Sequence, residues 1–385
     1  MNGKKLCIVT TIEMTMDSFV IPAMKLFVER GYDVTLICNM TDSFIERNSK
    51  DFHLINVKLQ RGTSIRDLLT KPFEFYWIFK RERFDYVQYA TTNAAWYASI
   101  AAWAARVPVR VNCLWGLLYT ASTGWRRKFY WLLEKVPCIF SNFFTVASKQ
   151  NMEIAIADGL CKREKASVIG EGGTIGVDLE QFDYGKRNQY QEAMYEKYPQ
   201  LKGKTVYGYL GRIDADKGIN ELLEAFLNMT PQKTALLLIG PYDNVRSGLN
   251  QELIKKAESC EHIIFTGFTK EVPLHLSAVD ILVHPTYREG FSMVIQQAMA
   301  MGCAIITTDI PGPSEVIVKD ESGFLVPVKD SEALKHAMEV LFNDSELRSK
   351  FVSAGLKRVR DCFSREKMLE LTFENRFQMI NAVNK

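Results

Sequence analysis

Two kinds of hydrophobic run alternate along this chain. The first kind is short and unbroken, as in Leu6–Thr10, Val34–Cys38, His53–Val57, Tyr86–Tyr89 and Val109–Asn112. Such blocks are the pattern of strands buried on both faces of a parallel sheet. The second kind repeats every three or four residues. It predicts helices over Ser18–Arg30, Ser64–Arg83 and Ala94–Arg106, with Gly31 turning the first of them into the next strand. After a polar stretch around Gln181–Lys202 the alternation restarts. Strands are predicted at Val206–Leu210, Ala235–Ile239, Ile263–Phe265, Ile281–His284, Ala304–Thr307 and Phe324–Val326. Strand–helix alternation implies parallel strands joined by right-handed crossovers. The expectation is therefore two doubly wound α/β domains, over 1–183 and 203–363, with 184–202 as connection. The tail from Ser364 has a helical pattern (Met368, Leu371, Phe377), and 364–385 is expected to cross back to the first domain.

Length agrees, since 385 residues exceed one typical core. Composition excludes little: 47% apolar residues, 24% charged and a net charge of +3 describe an ordinary globular chain and call for no nucleic-acid partner. The charge is uneven, however. From Lys58 to Lys135 there are 13 Lys/Arg against 5 Asp/Glu, interleaved with aromatics in Lys71–Phe84 and Trp125–Lys135. Trp125, Arg126, Arg127, Lys128 and Trp131 suit a half-wet, anionic membrane surface. The plainer reading packs Phe129, Leu132 and Leu133 on the sheet and leaves the cations in water. No run approaches the roughly 18 apolar residues of a spanning helix. The apolar run Leu6–Val9 after the Met1–Lys5 start is too short for a signal peptide. Eight cysteines without a C-x-x-C pair read as reduced core thiols, with no metal-ligand spacing. Together these lead to the expectation of a cytoplasmic chain, with peripheral contact to the membrane's inner face as the open alternative to the plainer reading.

Ligands of doubly wound sheets bind beyond the carboxyl ends of the strands. In the second half those ends are polar. Gly211, Arg212, Lys217 and Gly218 separate the Val206–Leu210 strand from a helix whose apolar stripe is Ile219, Leu222, Leu223 and Phe226. Glycines, two cations and a helix N-terminus make a diphosphate cradle. Gly240–Asn244, including Tyr242, follows the next strand. Thr266–Lys270, with Gly267 and Phe268, follows the third, and Pro285–Val294 follows the fourth. There Glu289 precedes Gly290, Phe291, Ser292 and Met293, whose N–H groups open a helix. A carboxylate beside an anion site calls for hydroxyls between them, and a sugar fits.

These stretches carry a resemblance. Gly211-Arg-Ile-Asp-Ala-Asp-Lys-Gly218, Pro285-Thr-Tyr-Arg-Glu-Gly-Phe-Ser292, Gln297-Ala-Met-Ala-Met-Gly302, Gly323-Phe-Leu-Val-Pro327 and the Gly170–Phe182 segment resemble family four of the glycosyltransferases. The similarity is to bacterial enzymes that build capsule, exopolysaccharide or O-antigen. It implies the glycosyltransferase-B fold, two Rossmann-like domains facing across a cleft, acceptor side first and nucleotide-sugar side second. It implies transfer with retention from a UDP- or GDP-sugar to a carbohydrate, lipid-linked acceptor, without metal or other cofactor. Arg212 and Lys217 would bind the diphosphate, and Glu289 the transferred sugar. Gly240–Tyr242 and Thr266–Lys270 would border the base.

Three positions depart from that family. Gln297 stands where a second Glu usually bonds the ribose. Trp115 precedes Gly116 where a sugar-contacting His is common, and Gln88 and Ala90 occupy a region that often holds histidines. The loop Thr10–Met14 after the first strand has no glycine. These departures leave open a catalytically inactive nucleotide-binding scaffold, and the fold leaves open a nucleotide-sugar epimerase.

Overall fold

In a computed structural model the described residues are 3–59, 62, 64–229, 233–242 and 248–383. They form two compact units, Met1–Ile175 with Glu366–Lys385, and Gly176–Arg365.

The first unit holds a seven-stranded parallel sheet: β1 (Lys5–Ile12), β2 (Asp33–Asn39), β3 (His53–Asn56), β4 (Tyr86–Ala90), β5 (Val109–Leu114), β6 (Phe143–Val146) and β7 (Ala166–Val168). Their order is β3-β2-β1-β4-β5-β6-β7. The second unit holds six: β8 (Thr205–Leu210), β9 (Thr234–Ile239), β10 (Ile263–Gly267), β11 (Ile281–His284), β12 (Ala304–Thr308) and β13 (Gly323–Val326), in the order β10-β9-β8-β11-β12-β13. Every pairing is parallel, as the unbroken apolar runs require. Leu6–Val9 and Ala235–Ile239 are fully buried, each strand covered on both faces. Strand order reverses between β1 and β4 and again between β8 and β11, and such switch points open the crevices where ligands sit.

Helices Ile65–Glu82, Thr92–Ala104 and Gly124–Phe140 follow β3, β4 and β5. The right-handed crossover rule puts all three on one face of the first sheet. Their outer sides are unusually apolar. Ile65, Leu69, Phe73 and Trp77 recur every four residues and are 67–77% exposed. Trp125, Phe129, Leu132 and Ile139 stand exposed on the Gly124–Phe140 helix. Of the three residues that the plainer reading packs on the sheet, only Leu133 is buried. Among the described residues no helix is long and apolar enough to cross a membrane.

Two expectations change in detail, and the first sheet has two further strands. Residues 184–202 are not a bare connection: they include the helix Arg187–Lys197, part of the second unit. Its polar composition hides its anchoring, which comes from buried Met194 and from the Arg187 guanidinium donating to the carbonyls of Val279 (2.8 Å) and Gly302 (2.6 Å). The helix expected over Ser18–Arg30 is two, Glu13–Phe19 and Ile21–Glu29, the second starting with Pro22 in its first turn. Strands β6 and β7, which the sequence analysis does not predict, complete the first sheet. The tail helix, Arg365–Ala382, lies from Glu366 onward in the first unit. It buries Thr372 and Arg376 beside Met368, Met379 and Ile380, and Arg376 Nε donates to Gln88 Oε1 at 3.0 Å. The cysteines are all free, six of them buried.

Candidate functional site

The polar groups after β8, β9 and β11 form one constellation. Beyond β8 the chain passes Gly211 and Arg212. Asp214 then accepts the Lys217 N–H (3.1 Å) and caps a single 3-10 turn, Ala215–Lys217. Gly218 follows in the left-handed region at φ 72°, where a Cβ would stand 2.1 Å from the Pro285 carbonyl oxygen. Only glycine lets the loops after β8 and β11 close on each other there. Gly240 plays the same part after β9, since its Cβ would lie 1.9 Å from the Gly211 oxygen. The helix Ile219–Leu227 starts at Gly218 with no side-chain cap, and it buries the expected stripe. Its first N–H groups are the open donors of a helix N-terminus.

Strand β11 ends in His284. Tyr287 ties the following loop back, donating its N–H to the Asp216 oxygen (3.0 Å) and its hydroxyl to Glu221 (2.5 Å). Ser292 then caps the helix Met293–Ala300, accepting from the Ile295 N–H at 3.3 Å. At the centre, Lys217 Nζ meets Glu289 Oε2 at 2.6 Å, and His284 Nε2 stands 3.8 Å from the same oxygen. His284 is buried, stacked 6.4 Å from the Tyr209 ring, with Nε2 also 3.3 Å from Ser292 Oγ. Its Nδ1 has no hydrogen-bond partner among the described residues.

Electrostatics follow from this packing. Burial acts to raise the Glu289 carboxyl, but Lys217 and His284 outweigh it and hold it well below the usual carboxylate range. Burial lowers His284, which favours the neutral imidazole near pH 7 and leaves Lys217 as the full countercharge. Arg212 pairs with buried Asp214 at 2.9 Å while remaining 45% exposed. Burial raises the Asp214 carboxyl, opposed first by Arg212. Both cations therefore rest on carboxylates of this chain.

The remaining candidates divide. Tyr242 bridges to Ile213, and Gly240 to Gly267, which joins the β9 and β10 ends to the cluster. The Tyr242 ring stacks on Phe265 at 5.5 Å, and Phe268 is exposed. Thr266 spends its hydroxyl on the Gly267 carbonyl (3.0 Å). Phe291 packs on Phe363 (ring centroids 5.5 Å), so it offers a ligand only its backbone. Gln297 is half-buried on the Met293–Ala300 helix. Asp243 and Asn244 lie outside the described residues. Trp115, Trp125, Arg126, Arg127, Lys128 and Trp131 belong to the first unit. Arg127 (3.3 Å) and the Trp131 indole (3.1 Å) are tied to Asp158, while Trp125, Arg126 and Lys128 face solvent. His284 and Asp214 are functional candidates that sequence reasoning passed over. Their one signal is a polar residue ending, or just following, an apolar strand.

Residues 191–358 match the family model for glycosyl transferases group 1, and residues 23–172 match a glycosyl transferase 4-like domain. The chain is similar to the capsular polysaccharide biosynthesis glycosyltransferase CapM of Staphylococcus aureus, 27% identical over 350 residues, 89% of this chain and 90% of that one. It is 23% identical over 337 residues to the N,N'-diacetylbacillosaminyl-diphospho-undecaprenol alpha-1,3-N-acetylgalactosaminyltransferase of Campylobacter jejuni, 86% and 87% of the two chains. Among solved structures, a glycosyltransferase from Rickettsia africae superposes with a TM-score of 0.81 at 19% identity, covering 100% of each chain. At that identity the likeness speaks for the fold.

Proposed function

We propose, from the match of residues 191–358 to the glycosyl transferases group 1 model and of residues 23–172 to a glycosyl transferase 4-like domain, what this chain transfers and how. The fold is glycosyltransferase-B, two parallel-sheet α/β domains. The reaction moves a sugar from a UDP- or GDP-sugar onto a lipid-linked carbohydrate acceptor, with retention and without metal, in the assembly of a surface polysaccharide. The observation that carries this reading is the Lys217–Glu289 pair at the β8/β11 switch point.

As the bond to the donor sugar breaks, negative charge collects on the diphosphate. Arg212, Lys217 and the open N-terminus of the Ile219–Leu227 helix supply fixed positive potential at that place, the electrostatic work otherwise done by a metal. Glu289 is held as an anion and has acceptor oxygens for sugar hydroxyls. The buried His284 ring and Ser292 support it from behind as positioning groups. A lipid-linked acceptor is supported by the diphospho-undecaprenol in the name of the Campylobacter relative. It is supported too by the exposed apolar and basic outer side of the Ile65–Glu82 and Gly124–Phe140 helices, which suits peripheral contact with an anionic leaflet.

The test is incubation with UDP- and GDP-sugars and an undecaprenyl-diphosphate saccharide, in buffer containing EDTA. A larger glycolipid whose anomeric proton NMR reads α from an α-linked donor is expected. Nucleotide binding without product would mean a scaffold. A donor epimerised without transfer would mean an epimerase. A β product would refute retention, and turnover abolished by EDTA would refute metal independence.

A further inference from the structure

Lys217 and His284 converge on one oxygen. Lys217 Nζ lies 2.6 Å from Glu289 Oε2, and His284 Nε2 lies 3.8 Å from the same atom. We propose that His284 is the reserve countercharge of Glu289: when a nucleotide-sugar binds and Lys217 bonds its diphosphate, the ring takes a proton from solvent and holds Glu289 in place. The inference rests on the diphosphate role given to Lys217 above.

The neutral resting state of the ring follows from its packing. His284 is 2% exposed and stacks on the Tyr209 ring. Its Nδ1 has no hydrogen-bond partner among the described residues. The one proton of a neutral ring therefore sits on Nε2, where Ser292 Oγ accepts it at 3.3 Å. A second proton would make Nδ1 a buried, unpaired donor. Burial first, with Lys217 adding to it, holds the ring below its ordinary value against the pull of Glu289.

The charges that face the ring are few. Lys217 comes from the turn after β8 and Glu289 from the loop after β11. Tyr209, on β8, stays a neutral phenol because burial raises it. Its hydroxyl donates to the Arg212 carbonyl (2.7 Å), and beyond it Arg212 and Asp214 pair with each other at 2.9 Å. Ser292 on the Met293–Ala300 helix and Thr307 on β12, which donates to the His284 carbonyl at 2.9 Å, carry no charge.

A donor tips this balance in one direction. Its diphosphate is anionic and shares the Lys217 ammonium with Glu289. Leaving a buried carboxylate short of its countercharge costs more than leaving one buried N–H unpaired. The ring therefore takes up the proton. Glu289 does not take it, because its ordinary value lies about two pH units below that of imidazole and sugar hydroxyls donating to it favour the anion. Lys217 can then serve the leaving diphosphate while Glu289 stays ionised, and the proton returns to solvent with product release. Since the complex holds a proton that the free protein lacks, donor binding must tighten as pH falls across the ring's titration.

The experiment is imidazole NMR and calorimetry on the full chain with UDP-glucose, UDP-N-acetylglucosamine and GDP-mannose. A nucleotide-sugar diphosphate has no ionisation of its own between pH 6 and pH 8. The chain has five histidines, and His284 is identified by the signal lost in His284→Gln. With donor bound, its titration midpoint should rise by at least about one pH unit, and affinity should rise at least about threefold from pH 8 to pH 6. In His284→Gln, whose amide keeps a donor beside Glu289, that pH slope should vanish. A ring that stays neutral at pH 6 with donor bound, or a slope that the variant retains, overturns the inference. If the variant unfolds, Gln variants of His53, His262, His275 and His336 assign His284 by elimination, and the wild-type ring decides alone. No binding of any nucleotide-sugar at any pH would overturn the diphosphate reading itself, and the inference with it.

Discussion

Lys217→Met tests whether the central pair is electrostatically coupled as its geometry requires. The substitution keeps the length of the side chain and removes the charge 2.6 Å from Glu289. Breaking a fully buried pair costs about 3–5 kcal/mol, because the surviving charge is left unpaired. Here Lys217 is 19% and Glu289 28% exposed, so partial hydration lowers the expected loss to about 2–3 kcal/mol. For a unit of 150–250 residues each kcal/mol shifts Tm by about 2–4 °C, which gives a fall of about 4–12 °C near neutral pH. The pH dependence fixes the cause. A carboxyl depressed in the folded state adds stability above its unfolded value, about 4.3, and loses it as pH falls through the folded one. Glu289 is so depressed in the wild type, with Lys217 the first cause lowering it. Without Lys217, burial dominates and favours the protonated acid, so the variant loses stability as pH rises. The gap in Tm should therefore widen from pH 4.5 to pH 7.5. Calorimetry across that range decides it. A gap that is constant with pH, or below about 1 °C throughout, would refute the coupling. Glu289→Gln should cost less, since the remaining ammonium regains water.

Three more outcomes are expected. Arg212→Ala should cut turnover about 10²-fold or more, the scale for one preorganised electrostatic group, and product formation within a few-fold of wild type would remove its assignment to the diphosphate. Gln297→Glu should tighten nucleoside-diphosphate binding by up to about fivefold in calorimetry, because a charged acceptor bonds ribose hydroxyls more strongly; weaker binding would mean that repulsion from the diphosphate dominates. Phe73→Ser with Trp77→Ser should lower flotation with anionic vesicles about tenfold, and wild-type binding should fall with salt as screening shortens; equal flotation on neutral vesicles would return that surface to ordinary solvent contact.

The fold was legible because its strands are buried on both faces. Burial of that kind forces unbroken apolar runs, and Leu6–Val9 and Ala235–Ile239 stand out on inspection. Where the physical demand was weaker, the text was too. Strand β7 is three half-buried residues, and its place comes from pairing with β6 rather than from its own pattern. The Arg187–Lys197 helix reads as a polar spacer because much of its anchoring is a guanidinium bonded to distant carbonyls. Hydrophobic periodicity does not register such a contact. The exposed row Ile65, Leu69, Phe73 and Trp77 misleads in the opposite direction, since a four-residue repeat looks like a core face until burial is known.

The parts of the proposed donor site differ in legibility for a chemical reason. A diphosphate asks for the same things in any such site: glycines where loops must touch, cations, and a helix start. Gly211, Arg212, Lys217 and Gly218 supply these within eight residues, so the requirement is written locally. His284 answers to no such fixed pattern. It lies five residues before Glu289 and supports it, yet a single polar residue closing an apolar strand gives no sign of which side chain it will face. What the sequence hides there is partnership across space, which the stacking on Tyr209 and the approach to Glu289 make plain only once the chain is folded.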